Sequence, residues 1–152
     1  MFLFIIIAVV LLVDQATKAA VQMLMCQGES IPVVPPAFYL TYIMNPGAAF
    51  GLLPHKKMLF VTVTVIIIAG VLVGYFKIRP RKPVLDYGLG LVAGGALGNL
   101  ADRLRYGLVV DFLDFRIWPV FNLADTAIVT GAFLLAWALL NDSDKSSKKE
   151  RK

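Results

Sequence analysis

The sequence predicts an all-α integral membrane protein of four transmembrane helices with a small extracytoplasmic β-sheet subdomain, forming one domain over residues 1–152. Three observations predict this. Of the 152 residues, 59% are hydrophobic and 16% are charged, and the mean hydropathy is +0.76. A soluble fold of this size keeps too much of its chain at the surface to hide that apolar area. The apolar residues gather in four runs, each near the ~20 residues that carry a helix across a ~30 Å hydrocarbon core. The segment between the first two runs has a different, β-prone texture.

The first run extends from about Phe2 to Met25 and is interrupted by Asp14 and Lys18. It has no basic leader and carries charges where a cleaved signal would be apolar, so it reads as a retained span despite Ala19 and Ala20. The next segment, to about residue 57, contains the β-prone stretches Ile31–Val34 and Phe38–Met44, divided by Pro35 and Pro36. They read as short strands lying on the membrane surface, with Phe38, Tyr39 and Tyr42 suited to the headgroup region. The second run, about Met58 to Phe76, is uniformly apolar. The third, about Leu85 to Leu104, carries Gly90, Gly94 and Gly98 at four-residue spacing, a stripe that lets a neighbouring helix approach closely. The fourth runs from about Leu123 to Leu140. The polar tail at 141–152 reads as disordered.

The net charge of +5 is unevenly distributed. Lys77, Arg79, Arg81 and Lys82 lie between the second and third runs, and Lys145, Lys148, Lys149, Arg151 and Lys152 lie in the tail. Basic clusters beside apolar spans mark the cytoplasmic side, which places both termini inside and the segments 27–57 and 105–120 outside. No basic stripe interleaved with aromatics points to nucleic acid. Cys26 is the sole cysteine and His55 the sole histidine, and the serines are Ser30, Ser143, Ser146 and Ser147, in a loop or the tail. Serine, cysteine and zinc chemistries are therefore poorly supplied, and no metal or other cofactor is expected. Carboxylates remain.

Asp14 lies ~20 Å along its helix, in the outer half of the membrane. Asp102 reaches the same depth from the third run, Asp125 opens the fourth, and Asp111 sits in the short outer loop between them. Each has an ordinary explanation. Asp14 and Lys18 have the spacing of an intrahelical pair. Asn122 and Asp125 have that of a helix cap and its third residue. Asp111 and Asp114 are available as plain loop acids. Ionisable groups gathered in one leaflet, however, are costly and usually functional. Two aspartates held together at low dielectric share one proton. The ionised member then takes a proton from water while the protonated member polarises a carbonyl. Asp111 and Asp125, flanking the loop, are the best placed. On these residues alone a proton or ion path through Asp14, Asp102 and Asp125 remains open, as does a noncatalytic scaffold assembled on the glycine face. The acids cluster on one side, with Asp86 alone near the inner face, which counts against a path.

Five motifs occur in order: Asp14-Gln15-Ala16-Thr17-Lys18, then Asn45-Pro46-Gly47-Ala48-Ala49-Phe50-Gly51, then Gly94 to Arg103 (GGALGNLADR), Val109-Val110-Asp111-Phe112, and Phe121-Asn122-Leu123-Ala124-Asp125. Together they resemble the bacterial lipoprotein signal peptidases (signal peptidase II) over most of the chain. The resemblance implies an aspartic endopeptidase of the bacterial cytoplasmic membrane that removes signal peptides from prolipoproteins, cutting before a diacylglyceryl-modified cysteine. It implies Asp111 and Asp125 as catalytic residues, with Asp14, Lys18, Asn45, Gly47, Asn99, Asp102, Arg103, Asn122 and Ala124 lining or supporting the site. Asn99, Asp102 and Arg103 are spaced to share one helical face, and the segment from Asn45 to Leu53 is expected to help wall the substrate groove. The implied partners are a lipid-modified prolipoprotein, membrane lipid and cyclic peptide antibiotics of the globomycin type, with the chain acting as a monomer and an active site near the outer face. Departures are small: 114–120 is short compared with some members, and Pro46 stiffens the second motif.

Overall fold

The computed structural model describes residues 2–47, 56–77 and 83–150, with side chains described to residue 141. Its elements run α1 (Phe2–Leu24), β1 (Ser30–Val34), β2 (Phe38–Asn45), α2 (Lys57–Lys77), α3 (Pro83–Tyr106), β3 (Val109–Asp114) and α4 (Leu123–Glu150). All four helices are long and apolar enough to cross a membrane. The four expected spans and both expected strands are present.

Two expectations need correction. Asp111 does not sit in a loop: it lies within β3, the third strand of an antiparallel sheet ordered β1-β2-β3. Residues 109–114 alternate imperfectly and pair with a strand far away in sequence, with Ile43 opposite Asp111 and Tyr39 opposite Asp114. The tail is also helical as far as it is described, because α4 continues to Glu150. Extending an existing helix requires no new nucleus, so polar residues can prolong it.

The third helix is central. Of its most apolar stretch 61% is buried, against 17%, 17% and 22% for α1, α2 and α4. The other three helices leave Phe4, Leu12, Ile66, Phe133 and similar side chains open on their outer faces, as helices facing lipid do. Glycine makes this packing possible. The stripe of Gly90 and Gly94 faces α1, where a Cβ at Gly94 would stand 2.7 Å from Val10 Cβ. One turn on, a Cβ at Gly98 would run into the Asp14 carboxylate. The opposite side of α3 meets α4 as tightly, and a Cβ at Gly95 would collide with the Ala124 carbonyl and stand 2.9 Å from Ile128.

Two apolar clusters hold the bundle. One joins Leu3 to Val71, Tyr75, Leu89, Val92 and Ala93 across α1, α2 and α3. The other seats the sheet on the C-terminal end of α1, through Val21, Met25, Tyr42, Val110 and Phe112. The sheet reaches α4 by a reversal: Leu113 and Phe121 bridge antiparallel, with Leu113 N–H donating to Phe121 O at 2.7 Å and Phe121 N–H returning to Leu113 O at 3.1 Å. This closure sets the start of α4 beside β3.

Gly95→Ala should lower the thermal midpoint in detergent, because overpacking a tight contact costs about 1–3 kcal/mol. Gly70→Ala, where an added Cβ meets nothing within 4 Å, should leave it nearly unchanged. Equal shifts in the two variants would contradict the packing described.

Candidate functional site

The site is built outward from a buried cation. Lys18 is 2% exposed, and Asp14 and Asp102 are 0% and 1% exposed. The Lys18 Nζ lies 2.9 Å from Asp14 Oδ2 and 2.9 Å from Asp102 Oδ2, and it donates to Asn99 Oδ1 at 2.9 Å. All three ammonium protons are thereby used. The carboxylates extend the connections. Asp14 Oδ1 accepts from Ala124 N–H at 3.0 Å, and Asp102 Oδ2 accepts from Val110 N–H at 3.1 Å. The Gln15 side-chain amide donates to Asp102 Oδ1 at 3.0 Å, and to Asp14 Oδ2 and Gly98 O at 3.2 Å each.

Because an ammonium only donates, it orients Asn99 with its oxygen toward Lys18 and its nitrogen away. That nitrogen donates to Asp125 Oδ1 at 2.7 Å. Asp125 is also held by a reciprocal cap at the start of α4: Asp125 N–H donates to Asn122 Oδ1 at 2.9 Å, and Asn122 N–H donates to Asp125 Oδ2 at 3.3 Å. Asn122 is fully buried. Its side-chain nitrogen donates to Asp111 Oδ1 at 2.6 Å, with Asn99 Oδ1 at 3.1 Å and Val110 O at 3.2 Å also within reach. Asp111 Oδ2 accepts from Asn45 Nδ2 at 2.8 Å, while Asn45 Oδ1 accepts from Gly47 N–H at 2.9 Å. One asparagine, Asn122, therefore touches both Asp111 and Asp125.

Both aspartates line one cavity of about 250 Å³, with Asn45, Gly47, Asn99 and Arg103. The rest of its wall is largely apolar: Val109, Ile128, Val129 and the run from Trp118 to Phe121. The Arg103 guanidinium lies over the Phe60 ring at 4.7 Å, with longer contacts to Asn99 O and Gly47 O of 3.4 and 3.5 Å. Burial pushes the Asp111 carboxyl up to about 7, and the neighbouring Asp125 charge adds to the rise. Hydrogen bonds from Asn45 and Asn122 pull the other way, as does Lys18. Asp111 thus exchanges its proton near neutrality, in the range suited to acid–base work.

Of the residues singled out in the sequence, Asn45, Gly47, Asn99, Arg103, Asp111 and Asp125 line the cavity, and Asn122 joins its two aspartates. Asp14, Lys18, Asp102 and Ala124 stand behind it. Asn99, Asp102 and Arg103 divide their contacts: Asn99 and Asp102 both bond to Lys18, Asp102 also accepts from the Val110 amide, and Asn99 and Arg103 line the cavity. Of the expected groove wall at 45–53, Asn45 and Gly47 contribute, and 48–53 lie outside the described residues. Gln15 and the wall from Trp118 to Val120 escaped the sequence reading. Gln15 lies inside the first motif beside Asp14, a usable signal, but nothing periodic marks residues of a short reversal.

The sequence model of the family described as Signal peptidase (SPase) II matches residues 6–141. The lipoprotein signal peptidase of Moorella thermoacetica is 54% identical over 131 residues, covering 86% of this chain and 87% of that protein. That of Desulfitobacterium hafniense is 48% identical over 151 residues, covering 99% and 100%. Two solved bacterial membrane enzymes, determined by the in meso method at 2.3 and 1.9 Å resolution, superpose with TM-scores of 0.89 and 0.84 at 34% and 35% identity. They cover 94% and 92% of this chain, and the matches span 90% and 93% of theirs. The chain belongs to the signal peptidase II family and is a multi-pass bacterial membrane peptidase of lipoprotein maturation.

Proposed function

We propose that the chain is an aspartic endopeptidase working at the outer rim of the membrane, cutting diacylglyceryl-modified prolipoproteins before the lipid-bearing cysteine. The observation that carries this reading is the junction at Asn122, which bonds to Asp111 and Asp125 where both border one cavity. A carboxyl titrating near neutrality beside a second carboxylate is suited to holding the single proton that such a pair shares. The ionised aspartate takes a proton from a water molecule, whose oxygen adds to the scissile carbonyl. The protonated aspartate donates a hydrogen bond to that carbonyl oxygen. The C–N bond then breaks, and a proton passes from the carboxyl to the departing amine.

The position suits the substrate. A signal peptide is an apolar helix and a diacylglyceryl group is lipid, so both remain in the bilayer while the bond meets water at the sheet end of the bundle. In the sequence, basic residues between the second and third runs and after the fourth argue for a cytoplasmic side there and an outer side at the sheet. Lys18 and its two carboxylate partners, buried behind the aspartates, act as a structural brace.

Asp111→Asn and Asp125→Asn should each reduce cleavage of a diacylglyceryl-modified precursor by roughly 10²–10⁴-fold, the span of positioned acid–base groups. The check is a gel-shift assay in detergent with thermal unfolding alongside. Full activity in either folded variant would refute the assignment.

The shared proton also sets a pH dependence. As pH rises through about 7 the pair loses its proton, so kcat/KM should fall on the alkaline side with a midpoint in that region. Asn45 donates to the ionised form of Asp111. Removing that donor makes the proton harder to lose, so Asn45→Ala should move the alkaline midpoint upward in a pH–rate profile. A downward shift would count against Asp111 as the carrier.

A further inference from the structure

Residues 114–120 form the reversal that carries Trp118, Pro119 and Val120 to the cavity wall. The ends of the reversal are joined by the Leu113–Phe121 bridge. Its interior is held by a closed circuit of polar contacts on the face of the sheet that carries Tyr39 and Thr41. Arg116 Nη2 donates to Ser30 Oγ at 2.6 Å, the Ser30 and Thr41 hydroxyls share a bond of 2.8 Å, and Thr41 donates to Asp114 Oδ2 at 2.7 Å. Because Thr41 has spent its proton on the carboxylate, Ser30 is the donor in the middle link. The circuit closes through Asp114 Oδ2 and Arg116 Nε at 3.5 Å. The Arg116 backbone N–H also donates to Asp114 Oδ1 at 2.8 Å, and its guanidinium lies 3.7 Å above the Tyr39 ring. The circuit thus draws on all three strands.

An ion pair whose arginine is 45% exposed contributes little by charge alone. The backbone indicates what the contacts are for. Arg116 has φ +64°, the one non-glycine residue with positive φ among the described residues. A left-handed arginine persists only when its surroundings hold it there. The turn at Arg116 sends the next residues back, with Ile117 N–H bonding Phe115 O at 2.7 Å and Ile117 itself 93% exposed. Trp118 to Val120 follow directly and reach the cavity, so their position depends on that turn.

We propose that the Asp114–Arg116 clasp is a positioning device for substrate binding: it holds the Trp118–Val120 wall at the width that grips the peptide beside the scissile bond. Arg116 bonds to Asp114 and Ser30, not to Asp111 or Asp125. It acts through the wall, so its loss should weaken binding more than chemistry. The proposal rests on the peptidase reading.

The test is steady-state cleavage of a diacylglyceryl-modified precursor in detergent. Wild-type cleavage is measured first and bears on the peptidase reading itself. Arg116→Asn keeps a residue that tolerates positive φ while removing the guanidinium. Its KM should rise about five- to tenfold with kcat within about twofold, the pattern of lost binding shared by ground and transition states. Arg116→Lys, which retains a cation over Tyr39, should recover most of the loss, and the alkaline midpoint of the pH profile should be unchanged in both. Asp114→Asn removes the charge and keeps one acceptor oxygen, enough for the Arg116 N–H, while its amide nitrogen can only donate. It should also raise KM and provides the reading if Arg116→Asn does not fold. An active wild type beside a folded variant with unchanged KM, or with kcat reduced at constant KM, would overturn the clasp and leave the peptidase reading standing.

Discussion

A lysine ammonium buried in a membrane bundle is the constraint from which the rest of this structure follows. Lys18 cannot be left unpaired at that depth, since an isolated charge out of water costs several kcal/mol or more. Its partners come from α1 itself and from α3. Each partner then reaches onward to a backbone or side-chain group at the sheet end: Asp14 to Ala124, Asp102 to Val110, and Asn99 to Asp125. Satisfying one cation therefore sets the height of α1 against α3, anchors β3 to the end of α3, and fixes where α4 begins. The two cavity aspartates occupy the ends of these chains of contact.

The same network requires the helices to be unusually close. Gly98 leaves room for the Asp14 carboxylate, and Gly95 leaves room for the Ala124 carbonyl. Larger residues there would push apart the helices whose polar side chains must meet. The glycine stripe and the buried charges are thus two halves of one arrangement: small residues provide proximity, and the ion cluster provides register. Because packing between helices in lipid gains little from the hydrophobic effect, close contact and polar bonds carry more of the association.

Several ordinary explanations for the acidic residues hold in the folded chain and coexist with the functional reading. Asp14 and Lys18 do pair along their helix, and Asn122 and Asp125 do form a reciprocal cap. The cap leaves Asp125 Oδ1 to Asn99 and leaves the Asn122 amide nitrogen to Asp111. A helix start and a candidate catalytic pair are made from the same few atoms. An arrangement of this kind resists substitution twice over, because an altered residue loses a structural bond as well as a chemical one.

The four spans could be read in the sequence because lipid imposes length and apolarity on each helix independently of its neighbours. β1 and β2 were legible for a similar local reason: two β-prone runs stand on either side of a proline pair. The aspartates, asparagines and Lys18 stood out because polar groups are conspicuous among apolar ones. Tertiary structure decided what depends on partners distant in the chain. Asp111 became a strand residue only by pairing with β2, more than sixty positions earlier. Asp102 and Asn99 came to share Lys18, with Asp102 also taking the Val110 amide and Asn99 reaching Asp125. Gln15, Arg116 and the wall from Trp118 to Val120 acquired their places through contacts across helices and strands. Local pattern records the solvent each segment faces. Only the closed fold brings together side chains whose meeting no single segment encodes.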